Sequence, residues 1–220
     1  MEDRRLQLHT VFQPIVHLHT NEVIGFEALL RSSVAPVQLF KQAEKKGVLS
    51  RLDQYARYLA LQSYQRPEKL FINCHPLALE QGISIDVHRY SHITPEQIVL
   101  EITEQNFFNI GKVRAQVHEF RELGMKLALD DFGHGFTNLS LIEFLEPDYL
   151  KLDKIMLRNI HNNKGYQLLN GIRKLAEEVG ITIIAEGIET RQQRDIVRSC
   201  GIGLGQGWYY GQPAALPALT

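Results

Sequence analysis

The stretch VFQPIVHLHTNEVIGFEALLR, residues 11–31, decides the fold. It holds two apolar, β-branched runs, 11–18 and 23–31, joined through LHTNEV with only residues 19–22 between them. Parallel neighbours need a crossover of a dozen or more residues, so the two runs are expected to form an antiparallel hairpin. Six further strand-like runs follow: LFINCH (70–75), IVLEIT (98–103), KLALDDFG (126–133), DYLKLDK (148–154), ITIIAEG (181–187) and LGQGWYYG (204–211). Between most of them lie amphipathic stretches, at 38–46, 52–64, 112–123, 166–179 and 190–199. Leu39, Phe40 and Ala43, then Leu52, Tyr55, Ala56, Leu59 and Ala60, recur at helical spacing, as do Val113, Val117, Phe120 and Leu123. Gly124 and Gly180 stand just past two of these patterns, where a left-handed cap residue is expected. Eight strands alternating with helices read as an α/β protein. The expectation is a (β/α)8 TIM-type barrel with an antiparallel first strand, close to the lower size limit of about 200 residues. No linker, low-complexity tract or repeat divides the chain, so 1–220 is read as a single domain.

Composition narrows the function. With 24 Lys plus Arg against 25 Asp plus Glu in 220 residues, the chain lacks the basic excess of proteins that bind long nucleic acid. A small phosphate ligand stays open. No apolar stretch of about 18 residues is present, so no membrane span is expected. The opening MEDRRLQLHT is charged and leads into no apolar segment of the signal-peptide kind. The 2 cysteines, Cys74 and Cys200, form no CxxC pair and suit a reducing cytoplasm.

Ionisable and amide groups interrupt the apolar runs at a recurring place. Glu27 follows VIGF, Asn73 follows LFI, and Glu101 follows IVL with Glu104 three residues on. Asp130 and Asp131 follow KLAL, Lys151 and Asp153 punctuate DYLKLDK, Glu186 follows ITIIA with Glu189 beyond it, and Gln206 lies in the last run. Each falls near the C-terminal end of its strand, the face on which barrel side chains converge. One such residue alone reads equally well as a surface group at a fraying strand end; six successive strands do not. Several carboxylates gathered in one pocket repel one another and resist desolvation. Divalent cations would neutralise them, and oxygen ligands with one Asn point to Mg²⁺ or Mn²⁺ rather than Zn²⁺. There are carboxylates enough for two ions, with one of the adjacent pair Asp130 and Asp131 able to bridge, a recurrent device for displacement at phosphorus. Lys151 either stabilises developing charge there or simply pairs with the acids. Gly133 and Gly135, in DDFGHGFTNLS, allow a mobile ligand-gated loop or a plain strand-to-helix turn.

The blocks FQPIV, GFEALLR, FINCHP, LEITEQ, LALDDFGHGF, DYLKLDK, IIAEGIET and GQGWYYGQP resemble, in order, the signature blocks of the EAL domain family. Its members are bacterial phosphodiesterases that open cyclic di-GMP to linear pGpG. The resemblance spans about residues 10–215 and implies a barrel with an antiparallel first strand. It also implies that Glu27, Asn73, Glu101 and Asp130 hold one metal ion, and that Asp130, Asp131 and Glu186 surround a second. Lys151 matches the lysine that contacts the nucleophilic water, Glu186 a possible general base, and Glu104 the glutamate that holds the DDFG loop. Gln13, Arg31, Asp153, Glu189 and Gln206 match positions near the substrate. A homodimer through the helix after that loop, near NLSLIEFL, is implied as well.

Three departures stand out. RSSVAPVQLF is short, with Ser32 where the family often has an aromatic residue; His134 replaces a small residue; and NCHP replaces an Asn-x-Ser pattern. Other residues have plainer readings. His17 and His19 are expected to face solvent, His75 to pack at a strand end or support the site, and Cys74 to be a buried thiol. Trp208, Tyr209 and Tyr210 either stack on a base or pack at the rim. Three functions fit these residues: a metal-dependent cyclic di-GMP phosphodiesterase, expected first; a catalytically silent cyclic di-GMP receptor acting through a partner; and another metal-dependent barrel enzyme, on fold analogy alone.

Overall fold

The computed structural model describes residues 7–103, 108–134, 139–158 and 160–216. Eight strands close into one barrel in sequence order. They are β1 (His9–His17), β2 (Val23–Arg31), β3 (Lys69–Asn73), β4 (Ile98–Thr103), β5 (Lys126–Phe132), β6 (Tyr149–Leu152), β7 (Thr182–Ala185) and β8 (Leu204–Gln206). β1 runs antiparallel to both its neighbours, β2 and β8, and every other adjacent pair is parallel. The protein is therefore a TIM-type barrel with its first strand reversed, as the short hairpin connection requires.

The helices are α1 (Pro36–Lys45), α2 (Leu49–Ser63), α3 (Pro76–Leu79), α4 (Ile110–Glu122), α5 (Ser140–Leu145), α6 (Lys154–Arg158), α7 (Asn163–Glu178) and α8 (Arg191–Ser199). Asn109 and Asn162 cap α4 and α7 by accepting from backbone N–H groups, and Thr190 with Gln193 forms a capping box on α8. Gly124 and Gly180 take φ of 96° and 77°, the left-handed positions expected after α4 and α7. The short helices α3, α5 and α6 had no counterpart in the periodicity, since one or two turns show no repeat. No helix among the described residues is long and apolar enough to cross a membrane.

Two apolar layers result from strand alternation. Outward-facing residues such as Leu70, Ile72, Leu100, Leu127, Leu150 and Ile183 pack beneath the helices. Inward, Ile15, Phe71, Val99, Ala128, Tyr149 and Ile184 form a separate plug, with Leu204 against it. Gly25 completes this layer, because a Cβ there would lie 2.9 Å from a ring carbon of Phe71. Both faces of the strands are buried, which explains their near-continuous apolar runs.

Candidate active site

The plug positions the site by period two. Two residues beyond Gly25, Phe71, Val99, Ala128, Tyr149, Ile184 and Leu204 stand Glu27, Asn73, Glu101, Asp130, Lys151, Glu186 and Gln206. Those seven side chains share the inward side of the barrel, one layer nearer the C-terminal ends of their strands. β1 runs the other way, so its residue in this layer precedes the plug: Gln13, paired in register with Glu27.

Lys151 is the centre. It is 0% exposed, and its Nζ lies 2.6 Å from Glu101 Oε1, 2.9 Å from Glu186 Oε1, 3.0 Å from Asp130 Oδ1 and 3.5 Å from Glu27 Oε2. Glu27 also accepts from Asn73 Nδ2 at 3.3 Å and from Gln206 Nε2, which in turn donates to Gln13 Oε1 at 3.1 Å. Gln13 Nε2 donates to the carbonyl of Gly211 at 3.0 Å. The amides thus fix the Glu27 carboxylate while the lysine ties together the acids.

Asp131 reaches the same pocket by a backbone device. Adjacent strand residues normally face opposite sides. Asp131 takes φ 56°, in the left-handed region, and the β5–β6 pairing shifts register between Leu129 and Phe132. Left-handed backbone costs a non-glycine residue of order 1 kcal/mol. It lets one oxygen each of Asp130, Asp131 and Glu186 lie within 4.8 Å of one another. Glu27, Glu101 and Asp130 form a second such group, and Asp130 belongs to both.

Three buried carboxylates and the half-buried Glu186 around one ammonium leave excess negative charge. Burial pushes the Glu186 carboxyl up to about 8, with Lys151 opposing and Asp130 and Glu27 reinforcing the rise. Burial and the neighbouring Asp130 and Asp153 lift Asp131 to about 6. Glu101 is raised well above the usual carboxylate range by complete burial, against the pull of Lys151. Burial opposes the charge on Lys151, yet Asp130, Glu101, Glu186 and Glu27 outweigh it and hold the ammonium well above its ordinary value. Glu101 Oε2 is buried with no hydrogen-bond donor among the described residues. An acceptor left in that state costs about 1–3 kcal/mol, which a cation would recover. The donor set, hard oxygens with one Asn, fits Mg²⁺ or Mn²⁺.

A cleft of about 320 Å³ opens above this centre, lined among others by Gln13, Asp131, Asp153, Glu186, Glu189 and Gln206. Asp153 is buried; its Oδ1 accepts from the Ile155 N–H at 2.7 Å, and its Oδ2 lies 3.4 Å from His134 Nδ1. His134 thereby faces a pocket acid. Glu189 is exposed on the rim, and Trp208 stands over the cleft at 63% exposure. Arg31 lies apart, on the wall of a neighbouring cavity, where its Nη1 donates to the Leu30 carbonyl at 3.0 Å. Glu104 and the loop residues 135–138 fall outside the described residues.

This arrangement matches a known family. The EAL domain profile covers residues 2–213. The chain belongs to the EAL domain family. Cyclic di-GMP phosphodiesterase NbdA of Pseudomonas aeruginosa is 29% identical over 239 residues, covering 100% of this chain and 30% of NbdA. BlrP1 of Klebsiella pneumoniae, solved as a calcium and cyclic di-GMP complex, superposes with a TM-score of 0.85 at 30% identity, over 94% of this chain and 56% of that one. A standalone EAL protein of Vibrio cholerae O395, solved with c-di-GMP bound, gives a TM-score of 0.84 at 25% identity, covering 98% and 96% of the two chains. The chain spans 29–44% of the length of the first curated relatives it matches.

Sequence reasoning missed a buried pair near this centre. Asp53 and Arg57, four apart on α2, form an ion pair at 3% side-chain exposure each. Asp53 Oδ1 also accepts from the His75 N–H at 2.9 Å. The signal was two opposite charges on the same helical face as Leu49, Ala60 and Leu61. His75 caps α3 by accepting from the Leu77 N–H, and its ring is parallel to Phe40 within 8°. Cys74 is a free buried thiol pushed up by burial.

Proposed function

We propose that this chain hydrolyses cyclic di-GMP to linear pGpG, using water activated by two divalent cations held at the C-terminal face of the barrel. The observation that carries the reading is the pair of carboxylate groups that share Asp130 around the buried Lys151. The family membership and the cyclic di-GMP complexes of BlrP1 and the Vibrio protein support the substrate.

Glu27, Asn73, Glu101 and Asp130 would hold one cation, and Asp130, Asp131 and Glu186 the other. Two cations, Mg²⁺ or Mn²⁺, would polarise the phosphodiester oxygens and lower the pKa of water at the site. Lys151 offers N–H donors to the attacking water or a phosphoryl oxygen without losing its proton. Glu186, in the carboxylate group with Asp131 and in contact with Lys151, is placed to accept a proton once a cation has displaced its own. Glu27 is oriented by Asn73 and Gln206. Glu104 is assigned to hold the loop after β5. Gln13, Asp153, Glu189 and Gln206 line the cleft and would contact the nucleotide, while Arg31 would fork onto a phosphate.

The 220 residues act as one phosphodiesterase domain in a reducing cytoplasm, in keeping with the free Cys74 and Cys200. A homodimer through α5 is part of the proposal: Leu139 and Phe144, at 56% and 40% exposure, are large apolar groups at the surface there. The test is chromatography of cyclic di-GMP incubated with Mg²⁺ or Mn²⁺. Wild-type protein yields pGpG, while Glu27→Ala and Asp130→Ala do not. A folded, metal-loaded wild type that binds cyclic di-GMP without turnover would overturn the reading and mark the chain as a receptor.

A further inference from the structure

Asn73 ends β3, and the chain there is held differently on its two sides. Toward β4 the ladder carries on: Asn73 pairs in register with Glu101, and the Cys74 N–H donates to the Glu101 carbonyl at 2.9 Å. Toward β2 the ladder stops at Ala28 and Ile72, so Asn73 has no partner on that strand. Its side chain nevertheless has a defined place. Nδ2 donates to Glu27 Oε1 at 3.3 Å, which leaves Oδ1 as the one side-chain atom able to ligate a cation. A strand end paired on one side only does not by itself fix that oxygen.

Two side chains of α2 supply the anchors that the ladder lacks. Asp53 Oδ1 accepts from the His75 N–H at 2.9 Å, and Arg57 Nη1 lies 3.9 Å from Cys74 Sγ. Arg57 Nη1 also donates to Asp53 Oδ2, so the carboxylate keeps one oxygen for the chain after β3 and gives the other to Arg57. Both residues are 2% exposed. A buried pair of this kind gains little stability over apolar groups of the same size, because desolvation offsets the attraction. Apolar groups could fill the space, but they could not accept the His75 N–H. His75 is gripped by its ring as well: Nδ1 accepts from the Leu77 N–H at 3.3 Å, and the ring is parallel to that of Phe40, on α1, within 8°. Cys74 and His75, the residues of NCHP that depart from the Asn-x-Ser pattern, thus tie the end of β3 to α1 and α2.

We propose that Asp53 is a positioning residue for cation binding. Oriented by Arg57 and acting through the His75 N–H, it fixes the end of β3 so that Asn73 presents Oδ1 beside Glu27 and Glu101. This rests on the proposed function for the role of Asn73 as a ligand, but not on turnover. The consequence is selective. Asn73 belongs with Glu27, Glu101 and Asp130, not with Asp131 and Glu186, so loss of the anchor weakens one cation and spares the other. Outer partners of metal ligands are typically worth about 10–100-fold in metal affinity.

The test reads cation binding and needs no substrate. Chelator-treated protein is titrated with Mn²⁺ at pH 8, with calorimetry for the heats and electron paramagnetic resonance for the free cation. Asp53→Leu combined with Arg57→Met removes the anchor without leaving an unpaired buried charge. It should weaken one cation about 10–100-fold and leave the other within about three-fold of wild type. Asp53→Asn combined with Arg57→Met returns an oxygen to the His75 N–H and should restore the weakened affinity to within about three-fold. Asn73→Ala should weaken the same cation, and adding Asp53→Leu and Arg57→Met to it should cost no more than about a further two-fold, since both act through one amide. His75 has φ −71° and precedes Pro76, so His75→Pro fits the backbone and deletes the same N–H with α2 intact. It should reproduce the selective loss, which keeps the test decisive if the α2 variant fails to fold by circular dichroism. Folded variants that bind both cations as wild type does, a loss shared equally by the two, or an undiminished second loss on the Asn73→Ala background would overturn the assignment. A wild type that binds fewer than two Mn²⁺ would overturn it together with the two-cation reading. Selective loss in a chain that binds two cations without turning over cyclic di-GMP would uphold it while refuting the hydrolase reading.

Discussion

Mn²⁺ affinity should rise about a hundred-fold between pH 6 and pH 8, because the cations must displace protons from carboxyls that the fold has made weak acids. Glu186 titrates near 8 and Asp131 near 6 in the cation-free pocket, chiefly through burial. At pH 6 only about one Glu186 in a hundred is ionised and about half of Asp131; at pH 8 about half of Glu186 and nearly all of Asp131 are. The doubly ionised fraction grows about a hundred-fold over those two units, equivalent to about 2.7 kcal/mol. Above pH 9 the gain should level off. Stability follows with the opposite sign. A carboxyl raised in the folded state contributes fully below its ordinary value of about 4 and loses that contribution progressively until pH passes the raised value. The cation-free protein should therefore lose melting temperature between pH 6 and pH 8.5, and saturating Mn²⁺ should remove that slope. Calorimetric titration in two buffers of different ionisation enthalpy measures both affinity and proton release, expected at one proton or more per chain at pH 7, since Glu101 is raised as well. An affinity that changes less than about three-fold from pH 6 to 8, with no proton released, would refute the reasoning.

Other perturbations probe separate parts of the account. Lys151→Met should lower kcat by about 10²–10³ and depress the cation-free melting temperature, with Mn²⁺ restoring the melting temperature but not the rate. Asp130→Asn touches both carboxylate groups, so equilibrium dialysis should show fewer than two Mn²⁺ per chain at concentrations that fill the wild type. Gly133 has φ 93°, and a Cβ would stand 2.7 Å from Met156 Sδ. Gly133→Ala should therefore cost about 1–3 kcal/mol in denaturant unfolding, with a cation dependence like wild type. Phe144→Glu should convert a dimer to monomers in sedimentation velocity while leaving the fold intact.

The barrel was legible because alternation of period two runs through all eight strands and because hairpin length excludes a parallel β1–β2 pair. The same alternation made the acids on β2, β4, β5 and β7 readable as one layer. It fails at Asp131, where sequence shows only two adjacent acids; the left-handed backbone that turns the second into the pocket is a local conformation with no composition signal in a non-glycine residue. Gln13 escaped the rule that site residues end their strands, since β1 is reversed and its earlier residue is the one nearest the site. Its place rested on family resemblance. Asp53 and Arg57 were hidden because an i, i+4 pair of opposite charges is the ordinary signature of an exposed helix face. Only the packing of α2 against the end of β3 shows that this pair is buried.

Product formation against cation stoichiometry tests the central claim most directly. Chelator-treated protein is given zero, one or two equivalents of Mn²⁺ at pH 8 and mixed with cyclic di-GMP in ¹⁸O-labelled water. The account predicts no turnover without cation, full turnover only with the second equivalent, and one labelled oxygen in the new 5′-phosphate of pGpG. Equal turnover by the chelated protein, or none with both equivalents bound, would contradict it.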